Sequence, residues 1–365
     1  MYDVIVVGAG PAGSLAAKKC TEHGLKTLIL EQRSLPRDKV CSGMVMGSLA
    51  QGLIKKNFGD LPETVLTQPG HVQGYSFHVP GIGSETLEKL TWLTWRKDLD
   101  YWMTRKAQAG GVEIWEGAEV VEVKHQGQGF SVIIERDKKR EELEAKFVVG
   151  ADGAASVVRQ FLFPELKPRY AQAIQEHYQG ELDLVRDYFH WFYPLEISPA
   201  SLSVHQKNGL IVMDVGGKPG QTKQLMAWAK NFLAEHYGFD INQKPVWRGG
   251  CLEPVLYREL SSHAFKPSKG HALLVGDAGG LIMPVSGEGI GVGMKSALIA
   301  ADSIAGAVVS GKPPDSVYLE EIEDIISLFG KIYPWFRKIL EEVRGGGNSL
   351  PQILRDAYHR TLKML

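Results

Sequence analysis

Tyr2-Asp3-Val4-Ile5-Val6-Val7-Gly8-Ala9-Gly10-Pro11-Ala12-Gly13 is the stretch whose reading decides the fold. A short β-branched run ending in glycine is the pattern of a buried parallel strand. Pro11 to His23 then reads as a helix, with Leu15, Ala16 and Cys20 on the packing side and Gly24 as its stop. Thr27 to Glu31 is a second strand, so the three elements make a βαβ unit of a doubly wound sheet. Gly8, Gly10 and Gly13 form a G-x-G-x-x-G at the strand–helix junction. The first glycine permits the tight turn, the second lets a pyrophosphate approach the backbone, and the third lets helix and sheet pack closely. Pro11 and Ala12 lie at the helix start, where free N–H groups favour phosphates. Glu31 ends the next strand, where a carboxylate can accept ribose hydroxyls, and Gln32 and Arg33 follow it. A bound dinucleotide is expected.

Outward from this unit, residues 36 to 75 read as loop-rich with weak helical stretches. Arg96 to Gly110 is an amphipathic helix. Val112 to Trp115 and Ala118 to Val123 are strand-like, and Phe130 to Glu135 and Leu143 to Val149 form a meander around the charged turn Arg136 to Arg140. From Tyr170 to about Trp247 strands alternate with one helix, near Thr222 to His236. Ala272 to Val275 returns to a buried strand. Ser286 to Val309, Ser316 to Val343 and Leu350 to Met364 read as helices.

The chain has 365 residues, which suggests two or three domains at about 150 residues each. Lys plus Arg total 41 against 42 Asp plus Glu, a net charge of −1, so the clustered positive charge of a nucleic-acid protein is missing. At 44% hydrophobic and 23% charged residues a large core can form and disorder is excluded as the dominant state. Three cysteines without C-x-x-C spacing fit a reducing compartment. No basic segment precedes an apolar stretch at the start, and no window reaches about 18 consecutive apolar residues, so no transmembrane helix is expected. A cytoplasmic location is expected. No histidine or cysteine cluster suggests a metal, and no G-x-S-x-G elbow suggests a hydrolase.

Two further strand ends carry aspartates. Val149-Gly150-Ala151-Asp152-Gly153 precedes Ser156 and Arg159, and Leu273-Leu274-Val275-Gly276-Asp277-Ala278 precedes Pro284, Gly287, Glu288, Gly289, Ile290 and Gly291. NAD needs fewer such turns than this. A longer ligand with a sugar alcohol and a ring system suits them, since an aspartate can accept from ribityl hydroxyls. A glycine-rich helix start can turn N–H groups toward a ring that gains negative charge. Either aspartate could instead be a helix N-cap or Asx-turn.

In this order the motifs resemble the FAD-dependent oxidoreductases built like p-hydroxybenzoate hydroxylase, and within them the geranylgeranyl reductase family. The resemblance covers roughly residues 1 to 310. It implies an α/β fold: a Rossmann-type FAD-binding domain (1–75, 95–165 and 268–310), an inserted antiparallel-sheet substrate domain (76–94 and 166–267) and C-terminal helices (311–365). It implies that Gly8, Gly10, Gly13 and Glu31 hold the ADP half of FAD and that Gly276 and Asp277 hold the pyrophosphate–ribityl region. Gly287 to Gly291 would lie beside the isoalloxazine, Arg96 near the cofactor, and Asp152 in a motif tied to flavin and pyridine nucleotide together. Cys41-Ser42-Gly43 resembles the family's cysteine-glycine segment close to the flavin. Phe189-His190-Trp191-Phe192-Tyr193-Pro194 resembles the aromatic Y-x-W-x-F-P signature of the substrate cavity, with Phe189 and Tyr193 departing from it.

The implied reaction is hydride transfer from reduced flavin to a C=C bond of an apolar, isoprenoid-like substrate, without charged motifs in the cavity. Cys41 is the first candidate for proton donor, a thiol being able to donate at neutral pH, while packing as a small hydrophobe is its other reading. Strand alternation turns Phe189, Trp191 and Tyr193 to one face and His190 and Phe192 to the other, making Trp191 and Tyr193 candidate substrate contacts. The alternative is a flavin monooxygenase using NAD(P)H and oxygen, and a third reading is a flavin- or lipid-binding protein without turnover. With one G-x-G-x-x-G only, NAD(P)H as donor would visit transiently, or another reduced carrier would serve. The aromatic, lightly basic stretch Ile325 to Leu340 could rest on a membrane surface or cover the substrate domain. Pro334 would kink it.

Overall fold

The structure, a computed structural model, describes residues 1–197 and 200–365. In chain order it begins β1 (Tyr2–Val7), α1 (Pro11–Glu22), β2 (Thr27–Glu31), β3 (Met44–Val45), α2 (Gly47–Phe58), β4 (Leu66–Val79) and β5 (Gly83–Thr94). Next come α3 (Arg96–Ala109), β6 (Glu113–Glu116), β7 (Glu119–Gln126), β8 (Gly129–Arg136), β9 (Lys139–Gly150) and α4 (Val157–Leu162). They lead to β10 (Arg169–Gln179), β11 (Tyr188–Phe192), β12 (Ser201–Lys207), β13 (Leu210–Gly217), α5 (Thr222–Tyr237), β14 (Trp247–Val255) and α6 (Tyr257–Ser261). The chain closes with β15 (Ser268–Lys269), β16 (Ala272–Leu274), α7 (Ile290–Ser310), α8 (Asp315–Glu321), α9 (Glu323–Arg344) and α10 (Leu350–Met364).

Two eight-stranded sheets result. In the first, β16, β9, β1, β2 and β6 run parallel, with the β7–β8 meander hung on the long first half of β9. Val4, Ile5 and Val6 are wholly buried in one core with Leu15 and Ala16 of α1 and with Val120, Val132 and Ile134 of the β7–β8 meander, and each such side chain contributes roughly 1.5–3 kcal/mol of burial. The second sheet has the order β14-β10-β13-β12-β11-β4-β5-β3 and is antiparallel except where β11 meets β4. The expected α/β architecture, with its second sheet and its helical tail, is present.

Three details differ from the sequence reading. The loop-rich stretch 36–75 holds a full helix, α2, and most of β4. The expected boundary at 75/76 therefore falls inside β4, and β3 pairs with β5 as part of the second sheet. Helix α7 starts at Ile290, because Ser286 to Gly289 form a loop that the periodicity does not separate from the helix. The tail helix breaks at Ile322 between α8 and α9.

Helix α7 is also long and apolar enough to cross a membrane by length and composition. Here it packs between α1 and α2 as a core helix. The tail covers the second sheet: Ile339 of α9 and Leu350, Ile353, Leu354 and Tyr358 of α10 share a core with Tyr75 and Phe77 of β4 and Phe189 of β11. Within the stretch Ile325 to Leu340 the packing is divided: Ile325, Ile326, Phe329 and Ile332 join the core of the first sheet, and Ile339 with Trp335 covers the second. Pro334 lies inside α9.

Candidate active site

A cavity of about 1660 Å³ runs from the first βαβ unit to the face of the second sheet. Its dinucleotide end is built by close backbone approach. Gly8 has φ +104°, and a Cβ there would stand 2.4 Å from the Ala151 carbonyl oxygen. A Cβ on Gly13 would stand 2.0 Å from the Gly8 oxygen. Gly10 differs: only Arg37 Nη2, at 4.0 Å, approaches its Cβ position, so the backbone there is open to a ligand.

Glu31 is buried, accepting from Ala9 N–H at 3.0 Å through Oε2 and from Arg33 N–H at 3.1 Å through Oε1. Arg37, outside the expected set, links Glu31 (3.2 Å) to Asp100 (3.1 Å). Asp100 also receives both arms of Arg96, at 2.8 and 3.0 Å. Burial would raise the Asp100 carboxyl, but the Arg96 and Arg37 guanidiniums hold it below the usual range. Gln32 and Arg33 are exposed at the rim.

Asp152 is not the N-cap of α4, which is Ser156 with its hydroxyl accepting from Arg159 N–H, but its Oδ2 accepts from Val157 and Val158 N–H in the first turn of that helix. Its Oδ1 is buried and has no partner, so one acceptor still faces the cavity wall. Arg159 joins this turn to the next by donating to the Ala278 carbonyl at 2.9 Å and to Tyr170 Oη at 3.2 Å. Asp277 reaches the cavity beside Lys39, which stands 3.4 Å from it. At the third motif the expectation needs correcting. The α7 N–H groups expected to face the ring are taken by Glu288, whose carboxylate accepts from Gly291 N–H and faces those of Ile290 and Val292. A carboxylate is the natural partner of a helix N-terminus. Burial raises Glu288 to about 7, and its Oε2 is unpartnered. Gly276, Gly287, Gly289 and Ile290 line the cavity as expected, whereas Gly291, the second residue of α7, is not part of the lining.

Cys41 and Ser42 line the middle of the cavity. Cys41 Sγ accepts from Gly43 N–H at 3.5 Å and also has the Arg96 guanidinium as a partner. Gly43 is forced by contact, since a Cβ would stand 1.9 Å from the Thr94 oxygen. Lys207 of β12, missed in the sequence, fastens this segment. Its buried Nζ donates to Ser42 O at 2.6 Å and Thr94 O at 3.0 Å and lies 3.9 Å over the Trp95 ring. Burial pulls Lys207 down to about 7.

The far end is the second sheet. Phe189, Trp191 and Tyr193 face the cavity and the tail, while Phe192 packs behind the sheet against α5, as alternation predicts. Leu195, Ile339, Val343, Leu354 and Tyr358 complete an apolar lining. The floor beside it is not free of ionisable carboxyls, contrary to expectation: Asp214 and Glu253 open onto it, with the neutral thiol of Cys251 between them. Burial raises Asp214 to about 6 and Glu253 to about 7. No sequence motif marks them, because they meet only through strand register. Among the described residues no acidic, histidine or cysteine group has metal-ligand geometry.

Known proteins bear on this site. The family described as an FAD binding domain matches residues 1–169. This chain is an FAD-dependent oxidoreductase. It is 28% identical over 352 residues to the digeranylgeranylglycerophospholipid reductase of Methanosarcina acetivorans, covering 89% of this chain and 79% of the relative. It is 25% identical to a 1H-pyrrole-2-carbonyl peptidyl-carrier protein brominase of Pseudoalteromonas luteoviolacea, covering 84% and 78%. The crystal structure of a geranylgeranyl bacteriochlorophyll reductase-like protein from Thermoplasma acidophilum superposes with a TM-score of 0.80 at 19% identity, covering 99% and 95%, and so shares the fold. The resemblance to geranylgeranyl reductases stands.

The residues present fit FAD. Open backbone at Gly10, a buried carboxylate at Glu31, the orphan Asp152 Oδ1 and the Gly276-Asp277 turn line one cleft long enough for a dinucleotide.

Proposed function

We propose that the enzyme saturates C=C bonds of an apolar, isoprenoid-like substrate held between the second sheet and the C-terminal helices. The observation that carries this reading is the apolar lining from Trp191 and Tyr193 to Leu354 and Tyr358, continuous with the cleft that fits FAD. The name of the Methanosarcina relative supports it. FAD supplies the electron transfer when bound. Gly10 and the start of α1 receive the pyrophosphate, and Glu31 the ribose. Asp277 and the Asp152 Oδ1 take the ribityl side. Cys41, Ser42 and Gly43, pinned by Lys207, form the wall between cleft and cavity. Trp191 and Tyr193 orient the substrate, and the tail helices exclude water from it. NAD(P)H, or another reduced carrier, reaches the cleft transiently.

A second reading, a monooxygenase using NAD(P)H and oxygen, is favoured by the buried carboxylates in the cavity floor and by the likeness to a brominase. Incubation of the FAD-loaded enzyme with geranylgeraniol and dithionite without oxygen separates the two by product mass. A gain of two hydrogens per bond is expected. An unchanged alcohol that gains an oxygen atom only with NAD(P)H in air supports the second reading instead.

A further inference from the structure

Strand register lines up Trp191 of β11, Ser203 of β12, Asp214 of β13 and Gln175 of β10 in one row across the cavity floor. Gln175 Nε2 donates to Asp214 Oδ2 at 3.0 Å, and Gln175 Oε1 lies 3.0 Å from His177 Nε2. The amide satisfies both neighbours in one orientation, so His177 carries its hydrogen on Nε2 and donates it. Burial, helped by Lys207 and Lys97, brings His177 down to about 4 and keeps it neutral. Asp214 Oδ2 is thereby fixed as an acceptor. When the carboxyl is protonated its hydrogen must sit on Oδ1, which has no hydrogen-bond partner among the described residues and belongs to the cavity lining.

We propose that Asp214 is the acid that delivers a proton from Oδ1 to the substrate carbon that does not receive the hydride. The assignment rests on the C=C reduction proposed above. One substrate carbon takes the hydride equivalent that reduced FAD supplies, and the other takes the Asp214 proton. The π bond is consumed, two C–H bonds form, the flavin is left oxidised and Asp214 is left as a carboxylate. Water entering the cavity restores its proton.

The other candidates are held in different roles. Cys41 Sγ receives Gly43 N–H and faces Arg96, which sets the sulfur as an acceptor. One Glu288 oxygen is tied to the start of α7. Glu253 lies on the edge strand, facing Asp277 and Lys39. The groups facing Asp214 are Lys207 from β12 and Cys251 and Glu253 from β14. Burial outweighs Gln175 and Lys207 and raises Asp214 to about 6. The protonated fraction therefore falls as pH rises through that value, and transfer slows with it.

The test mixes dithionite-reduced holoenzyme with geranylgeraniol without oxygen and follows the return of oxidised flavin from pH 5 to 8. At equal flavin content, Asp214→Asn is expected to slow it by about 100-fold or more, the usual contribution of a positioned acid, and to remove the fall above pH 6. Cys41→Ser keeps that fall whatever its rate. Gln175→Leu removes a hydrogen bond that favours the carboxylate, so it moves the midpoint upward, and it serves if Asp214→Asn does not fold. Asp214→Asn within threefold of wild type with the same profile, or an unmoved midpoint in Gln175→Leu, overturns the assignment alone. Wild-type enzyme that leaves the alcohol unreduced overturns the reading of the reaction and the assignment with it.

Discussion

The cofactor cleft and the substrate cavity are two ends of one space, built by opposite means. In the cleft, glycines at Gly8, Gly10 and Gly13 shape backbone into a surface, and buried pairs such as Arg96–Asp100 lock it. In the cavity the decisive groups are side chains from β10 to β14, brought into rows by register. Backbone shape tolerates almost no substitution, whereas a row of side chains can be retuned one residue at a time. That difference suits a fold that keeps one cofactor and changes substrates.

The comparison breaks most readily at Gly13. Gly13→Ala puts a Cβ 2.0 Å from the Gly8 oxygen and 3.2 Å from the Ala151 Cβ, with no flexible side-chain end to yield. Protein purified from this variant is expected to carry no FAD by its visible absorption, or not to fold. Full flavin content would show that the turn yields more than the packing allows. Next in size is Arg96→Leu. It leaves Asp100, fully buried, with Arg37 as its one directly paired cation among the described residues and Lys39 farther off, and losing half of a buried pair costs about 3–5 kcal/mol. Urea unfolding of the apoprotein measures this, and a loss under about 1 kcal/mol would mean that Arg37 suffices.

A smaller effect sharpens the cavity side. Lys207 sheds its proton at about 7 when folded, against 10.5 for the free side chain. Between those values the unfolded chain binds more protons, so stability rises with pH from about 7 to 10.5 and gains nothing below 7. Lys207→Met lacks the rise. The difference between the two proteins, read by urea at pH 7 and 9, should change by about 2 kcal/mol in favour of wild type at the higher pH. A constant difference would place the ammonium in water and not in the sheet.

The legibility of the two ends follows the same division. The cleft is local in sequence: strand, glycine turn, helix and acidic strand end fall within 31 residues, so their spacing alone carries the reading. Arg96 and Asp100 are one helical turn apart, yet Arg37, which joins them to Glu31, lies in a loop without periodicity. The stretch 36–75 hid its structure for physical reasons. Gly47, Gly52 and Asn57 weaken the helical pattern of α2, and a register shift between Leu66 and His71 spoils the alternation of β4. Glu288 was legible as part of a glycine-rich turn but not as the cap of α7, because that depends on where the helix begins. Asp214 and Gln175 are 39 positions apart and acquire meaning only when β10 lies against β13.

The most direct measurement is a single turnover with oxygen as the variable. Reduced, FAD-loaded enzyme is mixed with geranylgeraniol in an anaerobic stopped-flow cell, and the products are weighed by mass spectrometry. The account predicts that oxidised flavin returns without oxygen, in step with an alcohol two mass units heavier. Flavin that stays reduced until air is admitted, with no hydrogenated product, would contradict it.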